Sequence, residues 1–300
     1  MADTVRETIK KITRKHLKAG SKCYGQCLTA VGWVGGTLPE LYEEDGMIEL
    51  SMADVAGGGI VVGAALAGER PIYVVRYQGF QWYNSPIITN YAMKSKEIWG
   101  RPCPLIIRSI AMEGGIGPVA GSSHHSIYQR MPGSKIISPM TPKEYIYAYE
   151  QFMKDDDVYY ISEHRKSYDN EKEFANVIHE KADITLFPIS ITRFAAEEAR
   201  LKLLRDGIKA NIIHQIWIKP FAFHEEWKKA LSQSKFGGIV LDDDYEEGAA
   251  SSIAHSMMMQ VDKKVQTYCL EHRTAGFHPS VDNLPPNAEQ IIDKVKKIVW

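Results

Sequence analysis

Apolar and polar positions along this chain follow two periods that take turns. Short, continuously apolar runs give way to stretches in which apolar residues recur every three to four positions, and the exchange repeats from end to end. Parallel strands need a crossover helix between them, so this alternation predicts an α/β fold built from two parallel-sheet α/β domains. Val5–Lys18 reads as an opening helix. Residues 22–29 read as a first strand ending in Gly25-Gln26-Cys27, 47–51 as a second and 71–76 as a third, with a small-residue helix over 54–67 between the last two. Residues 82–99 read as a helix that tolerates Pro86 in its first turns. Strands follow over 104–109, 135–138 and 158–162, with a helix over 142–153.

One stretch breaks the rhythm. Residues 111–130 carry Gly114, Gly115, Gly117, Gly121 and the pair His124-His125 without periodicity. Long irregular loops inside compact domains are usually functional. Residues 163–181 are polar and charged and read as a linker. A second α/β unit follows: a strand over 184–189, then a helix over 192–205 with Ala196, Ala199 and Leu203 on one face and Gly207 past its end. Further strands are expected over 211–218, 238–241 and Val265–Leu270, with helices over 247–260 and 287–299. There is no internal repeat and no low-complexity tract.

Composition narrows the function classes. A chain of 300 residues with 44% apolar content suggests two globular domains. A net charge of −1 gives no general attraction to nucleic acid or membrane. The longest apolar run, 57–68, is too short and too rich in Gly and Ala to span a bilayer, and residues 1–18 read as a charged helix, not a secretory leader. Cys23, Cys27, Cys103 and Cys269 are scattered, and the first two have no second ligand pair for zinc, so free thiols and a cytoplasmic setting are expected.

The candidate chemistry gathers at strand ends. Asp54 stands just ahead of Gly57-Gly58-Gly59 at the start of the small-residue helix. The plain reading makes Asp54 a helix cap and the glycines packing aids. The sharper reading is that an acid at a glycine-rich helix mouth meets a flat ligand, since glycine lets a ring approach the backbone. The aromatic stretch Tyr-Gln-Gly-Phe-Gln-Trp-Tyr at 77–83 follows the third strand, and in open parallel sheets ligands gather at carboxyl ends. Asp54, Phe80 and His124 are expected to project from that edge. His124 and His125 read as loop histidines outside any core, able to donate to an oxyanion or move protons near neutral pH. Neither GxGxxG opening a helix nor GxxxxGK[ST] occurs. Asp242–Asp244 resembles a metal cluster at first glance, but acids facing water at a strand end are the commoner reading; 155–157 reads as a turn, and Met257–Met259 as core filler on a helix.

Taken in order, several motifs resemble the β subunit of thiamine diphosphate-dependent 2-oxo acid dehydrogenase E1 components, which shares its architecture with the C-terminal two-thirds of transketolase. They are GGGIVVGAALAGERPI at 57–72, ITNYAMK at 88–94, PLIIR at 104–108, MPGSKIISP at 131–139, YYISEHRKSY at 159–168, DGIKANII at 206–213 with IKP at 218–220, and LPPNAEQII at 284–292. The resemblance implies a transketolase-like pyrimidine-binding domain over 1–180, with a linker at about 164–181, and a transketolase C-terminal-like domain over 181–300 that serves assembly. In that family one carboxylate, normally Glu, meets N1′ of the cofactor's aminopyrimidine and promotes the ylid at the thiazolium. The matching position is Asp54. The resemblance implies Asp54, His124 and His125 as catalytic residues and Asp54, Phe80, Gln78 and Gln26 as cofactor-binding residues.

Three departures stand out. Asp54 is one methylene shorter than Glu, about 1.5 Å of reach, which the triple glycine offsets if the helix sits closer. Gln26 stands where the family carries an acid. The family's Mg²⁺ motif, Gly-Asp-Gly with a distant Asn, is missing from the chain. The resemblance therefore implies thiamine diphosphate shared with an α-like partner chain that holds the Mg²⁺, in an α2β2 heterotetramer or with a β–β dimer. The chemistry implied is 2-oxo acid decarboxylation with transfer to a lipoyl acceptor. Ketol transfer by a split transketolase and a catalytically silent structural subunit are the alternatives.

Overall fold

The computed structural model describes residues 2–113, 119–273 and 283–300. The chain divides into two compact units, one of Met1–Met112 with Ser123–Glu173, the other of Glu113–Ser122 with Phe174–Trp300. In the first unit the strands are β1 (Cys23–Gly25), β2 (Met47–Glu49), β3 (Ile72–Val75), β4 (Leu105–Ala111), β5 (Ser134–Ile137) and β6 (Val158–His164). They run in the order β2-β1-β3-β4-β6-β5 with every pairing parallel, so all carboxyl ends share one edge. β4 and β6 pair from Leu105–Val158 to Ala111–His164 and are buried throughout, as central parallel strands covered on both faces must be.

The opening helix Val5–Lys18 begins where the Thr4 hydroxyl accepts the Glu7 amide at 3.1 Å, and it buries Val5, Ile9 and Leu17. The expected helix over 82–99 is broken. It comprises helical Gln81–Ile87, a π-helical turn at Ile88–Ala92 and helical Met93–Trp99. Pro86 supplies no N–H and its ring crowds the preceding turn, so the ladder widens directly after it.

The end of β6 also departs from expectation. Glu163 and His164 complete the strand and are buried, so the polar stretch does not begin as an exposed linker. Glu163 pairs with the equally buried Arg108, Nε to Oε1 at 2.6 Å and Nη2 to Oε2 at 3.0 Å. The Tyr168 hydroxyl donates to Oε2 at 2.9 Å, and Arg108 Nη2 donates to Thr37 Oγ1 at 3.1 Å. The partner lies 55 positions away in sequence, which is why the acid read as the start of a polar linker.

The second unit holds β7 (Ile184–Pro188), β8 (Ala210–Ile212), β9 (Trp217–Lys219), β10 (Gly238–Tyr245) and β11 (Val265–Leu270). Its four-stranded parallel sheet runs β11-β10-β7-β8. Helices Thr192–Arg205 and Ala288–Val299 cover it through Ala196, Ala199, Leu203, Ile291 and Val295. Asn287 and Gln290 cap the last helix reciprocally, each side-chain oxygen accepting the other's amide at 3.0 Å. The single strand expected over 211–218 is split into β8 and β9, because the His214 amide is taken by Asn176 Oδ1 at 2.9 Å.

Asp242–Asp244 does not face water. All three are buried within β10, where Asp242 and Asp244 each accept the next residue's amide at 2.8 Å and Ser190 donates to Asp243 at 3.0 Å. Met257 is core, but Met258 and Met259 are 41% and 72% exposed. No helix among the described residues is long and apolar enough to cross a membrane.

Two stability outcomes follow from these buried charges. Glu163→Ala leaves the Arg108 guanidinium buried without its carboxylate and should lower unfolding free energy by about 3–5 kcal/mol, read from a denaturant midpoint. His164 is held neutral by burial, its imidazole lowered from 6.5 to about 3, and Nδ1 accepts the Lys166 amide at 3.2 Å. The unfolded chain binds that proton below about 6.5 and the folded chain refuses it, so stability falls as pH drops through this window. The contribution is about 1.4 kcal/mol per pH unit. His164→Gln should flatten the stability slope between pH ~6 and ~4 by up to one proton.

Candidate functional site

β1 and β3 are neighbours, and their carboxyl ends open on a cavity of about 70 Å³. Gln26, Cys27, Met52, Asp54, Phe80 and Asn84 are among its walls, with Tyr73 from the strand below. Three residues singled out from sequence, Asp54, Phe80 and Gln26, are thus brought together.

Asp54 is not the helix cap. Ala53 holds that position without a side-chain bond, and Asp54 is the first residue of the helix Asp54–Leu66. Its carboxylate accepts one hydrogen bond among the described residues, from Asn84 Nδ2 to Oδ1 at 3.3 Å. Asn84 Nδ2 also donates to the Phe80 carbonyl at 3.1 Å, and the Tyr73 hydroxyl donates to Asn84 Oδ1 at 2.5 Å. Burial, reinforced by the charge of Asp54, pushes the Tyr73 hydroxyl well above its ordinary value and keeps it a donor.

Two of the three glycines bring the helix close. A Cβ on Gly57 would lie 3.2 Å from the Tyr73 hydroxyl, and one on Gly58 would lie 3.3 Å from the Asn84 carbonyl oxygen. A Cβ on Gly59 would meet nothing within 4 Å, so the third glycine is not needed for this approach. Gln26 Nε2 is buried and has no hydrogen-bond partner among the described residues. Phe80 lies 5.8 Å from the Tyr77 ring, centroid to centroid.

The remaining sequence candidates sit elsewhere. Gln78 is fully buried and is not among the cavity walls. Its Nε2 donates to Ser162 Oγ at 2.9 Å and the Ser109 carbonyl at 3.2 Å, while its Oε1 accepts the His124 amide at 2.6 Å. The histidine pair divides. His124 is half-buried with its ring edge-on to Trp82 at 6.0 Å. His125 is fully buried, Nδ1 at 3.2 Å from Ser162 Oγ, so it is not the exposed loop histidine expected. Gly114, Gly115 and Gly117 lie outside the described residues. Tyr73 and Asn84 were missed: one reads as an ordinary strand apolar and the other as a polar helix position, and only their contact gives them a role.

Fold and cavity together define a parallel-sheet α/β protein with an acid-bearing pocket at the strand carboxyl edge. Residues 16–171 match the family described as transketolase, pyrimidine binding domain, and the chain belongs to that family. Among its relatives is the subunit beta of acetoin:2,6-dichlorophenolindophenol oxidoreductase from Cupriavidus necator, 25% identical across 89% of this chain and 85% of the relative. Another is the 2-oxoisovalerate dehydrogenase subunit beta of Bacillus subtilis, 28% identical across 78% of this chain and 73% of the relative. A solved split-gene transketolase, described as an inactive β4 tetramer, shares the fold with a TM-score of 0.73 at 13% identity, covering 100% of this chain and 99% of that one.

An acid with one long hydrogen bond contributes little to folding. Asp54→Ala should change unfolding free energy by no more than about 0.5 kcal/mol. Asn84→Ala, which strands the Tyr73 hydroxyl and the Phe80 carbonyl, should cost about 1–3 kcal/mol in the same thermal or denaturant assay.

Proposed function

We propose that this chain is the β-type subunit of a two-chain thiamine diphosphate-dependent enzyme that acts on a 2-oxo acid or a ketose. The observation that carries the proposal is Asp54, whose Oδ2 has no partner among the described residues, in a cavity walled by Phe80 and Gln26 within the family-matched stretch. An aminopyrimidine is flat, with apolar faces and a polar edge. Phe80 suits a face, and the uncommitted Asp54 oxygen and the unpartnered Gln26 Nε2 suit an acceptor and donor along an edge. The residues therefore fit the cofactor's pyrimidine.

The cofactor, when bound, supplies the carbanion chemistry at its thiazolium ring. This chain's residues orient it and manage protons. Asp54 holds a proton at the pyrimidine N1′. Phe80 packs on the ring and Gln26 closes the polar edge. Gln78 fixes the His124 backbone, and His124 stands for proton transfer beside the substrate with His125 behind it. In this reading residues 1–180 form the pyrimidine-binding domain, with the linker at about 164–181. Residues 181–300 form a transketolase C-terminal-like domain that serves assembly.

Mg²⁺ and the diphosphate belong to an α-like partner, in an α2β2 heterotetramer or with a β–β dimer, because the chain lacks the Gly-Asp-Gly motif. Two relatives named as beta subunits support the pairing, as does the description of the split-gene transketolase β4 tetramer as inactive. The 2-oxoisovalerate dehydrogenase subunit among the relatives favours 2-oxo acid chemistry over ketol transfer.

Calorimetric titration of thiamine diphosphate and Mg²⁺ tests the assignment, with this chain alone and with the α-like chain encoded beside it. Binding is expected only to the pair. Tight Mg²⁺-dependent binding by this chain alone would overturn the shared site, and no binding by the assembled pair would overturn the cofactor reading. In the pair, Asp54→Ala should lower turnover about 10²–10⁴-fold, the usual contribution of a positioned acid or base. Unchanged turnover would leave this chain a silent structural subunit.

A further inference from the structure

We propose that Tyr73 and Asn84 are a positioning pair that aims Asp54 at the ligand and locks the acid wall of the cavity to its aromatic wall. The inference rests on the assignment of Asp54 above and extends it to two further residues of the same cavity.

The hydrogen-bond inventory of Asn84 allows one orientation of its amide. The side chain offers two N–H donors and one carbonyl. One donor reaches the Phe80 carbonyl at 3.1 Å and the other reaches Asp54 Oδ1 at 3.3 Å. The carbonyl accepts the Tyr73 hydroxyl at 2.5 Å. Turning the amide over would set its oxygen against the Phe80 carbonyl and the Asp54 carboxylate, two acceptors it has nothing to offer. Those two groups can only accept and so forbid the turn, while the Tyr73 hydroxyl supplies the hydrogen that the amide oxygen needs. Asn84 is fully buried and Tyr73 is 1% exposed, so water does not compete for these bonds.

The consequence for Asp54 is directional. Asn84 engages Oδ1, leaving Oδ2 for the ligand. A short side chain has one torsion fewer than Glu with which to search for its target, so its aim depends more on what holds it. The same amide grips the backbone of Phe80, so acid and ring are set from a single group. Gly58 makes room for it: a Cβ there would crowd Asn84 Oδ1 to 3.4 Å and its backbone carbonyl to 3.3 Å.

The test is a comparison of two ligands on the assembled pair of chains. Binding of thiamine diphosphate is measured calorimetrically against an analogue with carbon in place of the pyrimidine N1′. The intact pair should prefer the natural cofactor about tenfold, the weight of one well-aimed hydrogen bond. Asp54→Ala should bring the ratio close to one. Tyr73→Phe should shrink it at least about threefold while affinity for the carbon analogue holds, and Asn84→Ala should shrink it as much while also weakening both ligands through the released Phe80 backbone. If Asp54→Ala collapses the ratio but the other two leave it intact, or weaken both ligands equally, the positioning pair is overturned. A ratio untouched by Asp54→Ala instead overturns the reading of Asp54 itself. Tyr73→Phe removes a single oxygen atom and carries the test alone should Asn84→Ala fail to fold.

Discussion

The first unit is organised around one buried ion pair. Arg108 and Glu163 sit on the neighbouring strands β4 and β6, both fully buried, and the cost of desolvating two charges is offset by their bidentate geometry and by Thr37 and Tyr168, although Arg108 Nη1 has no hydrogen-bond partner among the described residues. The pair reaches beyond its strands. Through Thr37 it holds the segment after β1, where Trp33 and Val34 adopt left-handed backbone with φ of 51° and 52°. A β-branched residue in that region is costly and persists only when its surroundings insist. Here the insistence is visible: the Thr37 hydroxyl donates to the Val34 carbonyl at 2.9 Å and Arg6 donates to the Gly35 carbonyl. Through Tyr168 the pair also holds the chain leaving β6.

The cavity lies where β1 and β3 end, and the start of the small-residue helix supplies Asp54 to its wall. Its depth is a matter of backbone separation. Gly57 sits against the hydroxyl of Tyr73, and Gly58 sits against Asn84. The acid is then presented by a helix start that spends its own cap on Ala53 and leaves the Asp54 side chain to Asn84. Packing, hydrogen bonding and candidate chemistry share the same few atoms in this corner. A reading of the site that stopped at the acid and the ring would miss what holds them.

Much of this was legible in the chain, and the parts that were not share a cause. Val5–Lys18 and Val265–Leu270 follow from strong local periodicity, and their bounds match the structure. Asp54, Phe80 and Gln26 were readable because an acid beside glycines and aromatics past a strand end are local signals. The break at Ile88–Ala92 was not, since one missing N–H at Pro86 is resolved by widening the helix rather than by ending it. Glu163, His125 and Asp242–Asp244 look like surface polarity in sequence and are buried in the fold, because their partners are distant along the chain or come from the backbone. Tyr73 and Asn84 carry no sequence signal at all. Their part exists only in a contact between a strand and a helix.

The two close glycines have an evolutionary corollary. They are not among the cavity walls but pack against Tyr73 and Asn84, two residues that are. A side chain added at either position presses first on the residues that hold Asp54, so variation there disturbs the acid before it changes the space for a ligand. Phe80 is itself a wall, and substitutions at it change that space directly. The helix start is therefore the conservative side of this corner and the aromatic segment the adaptable one.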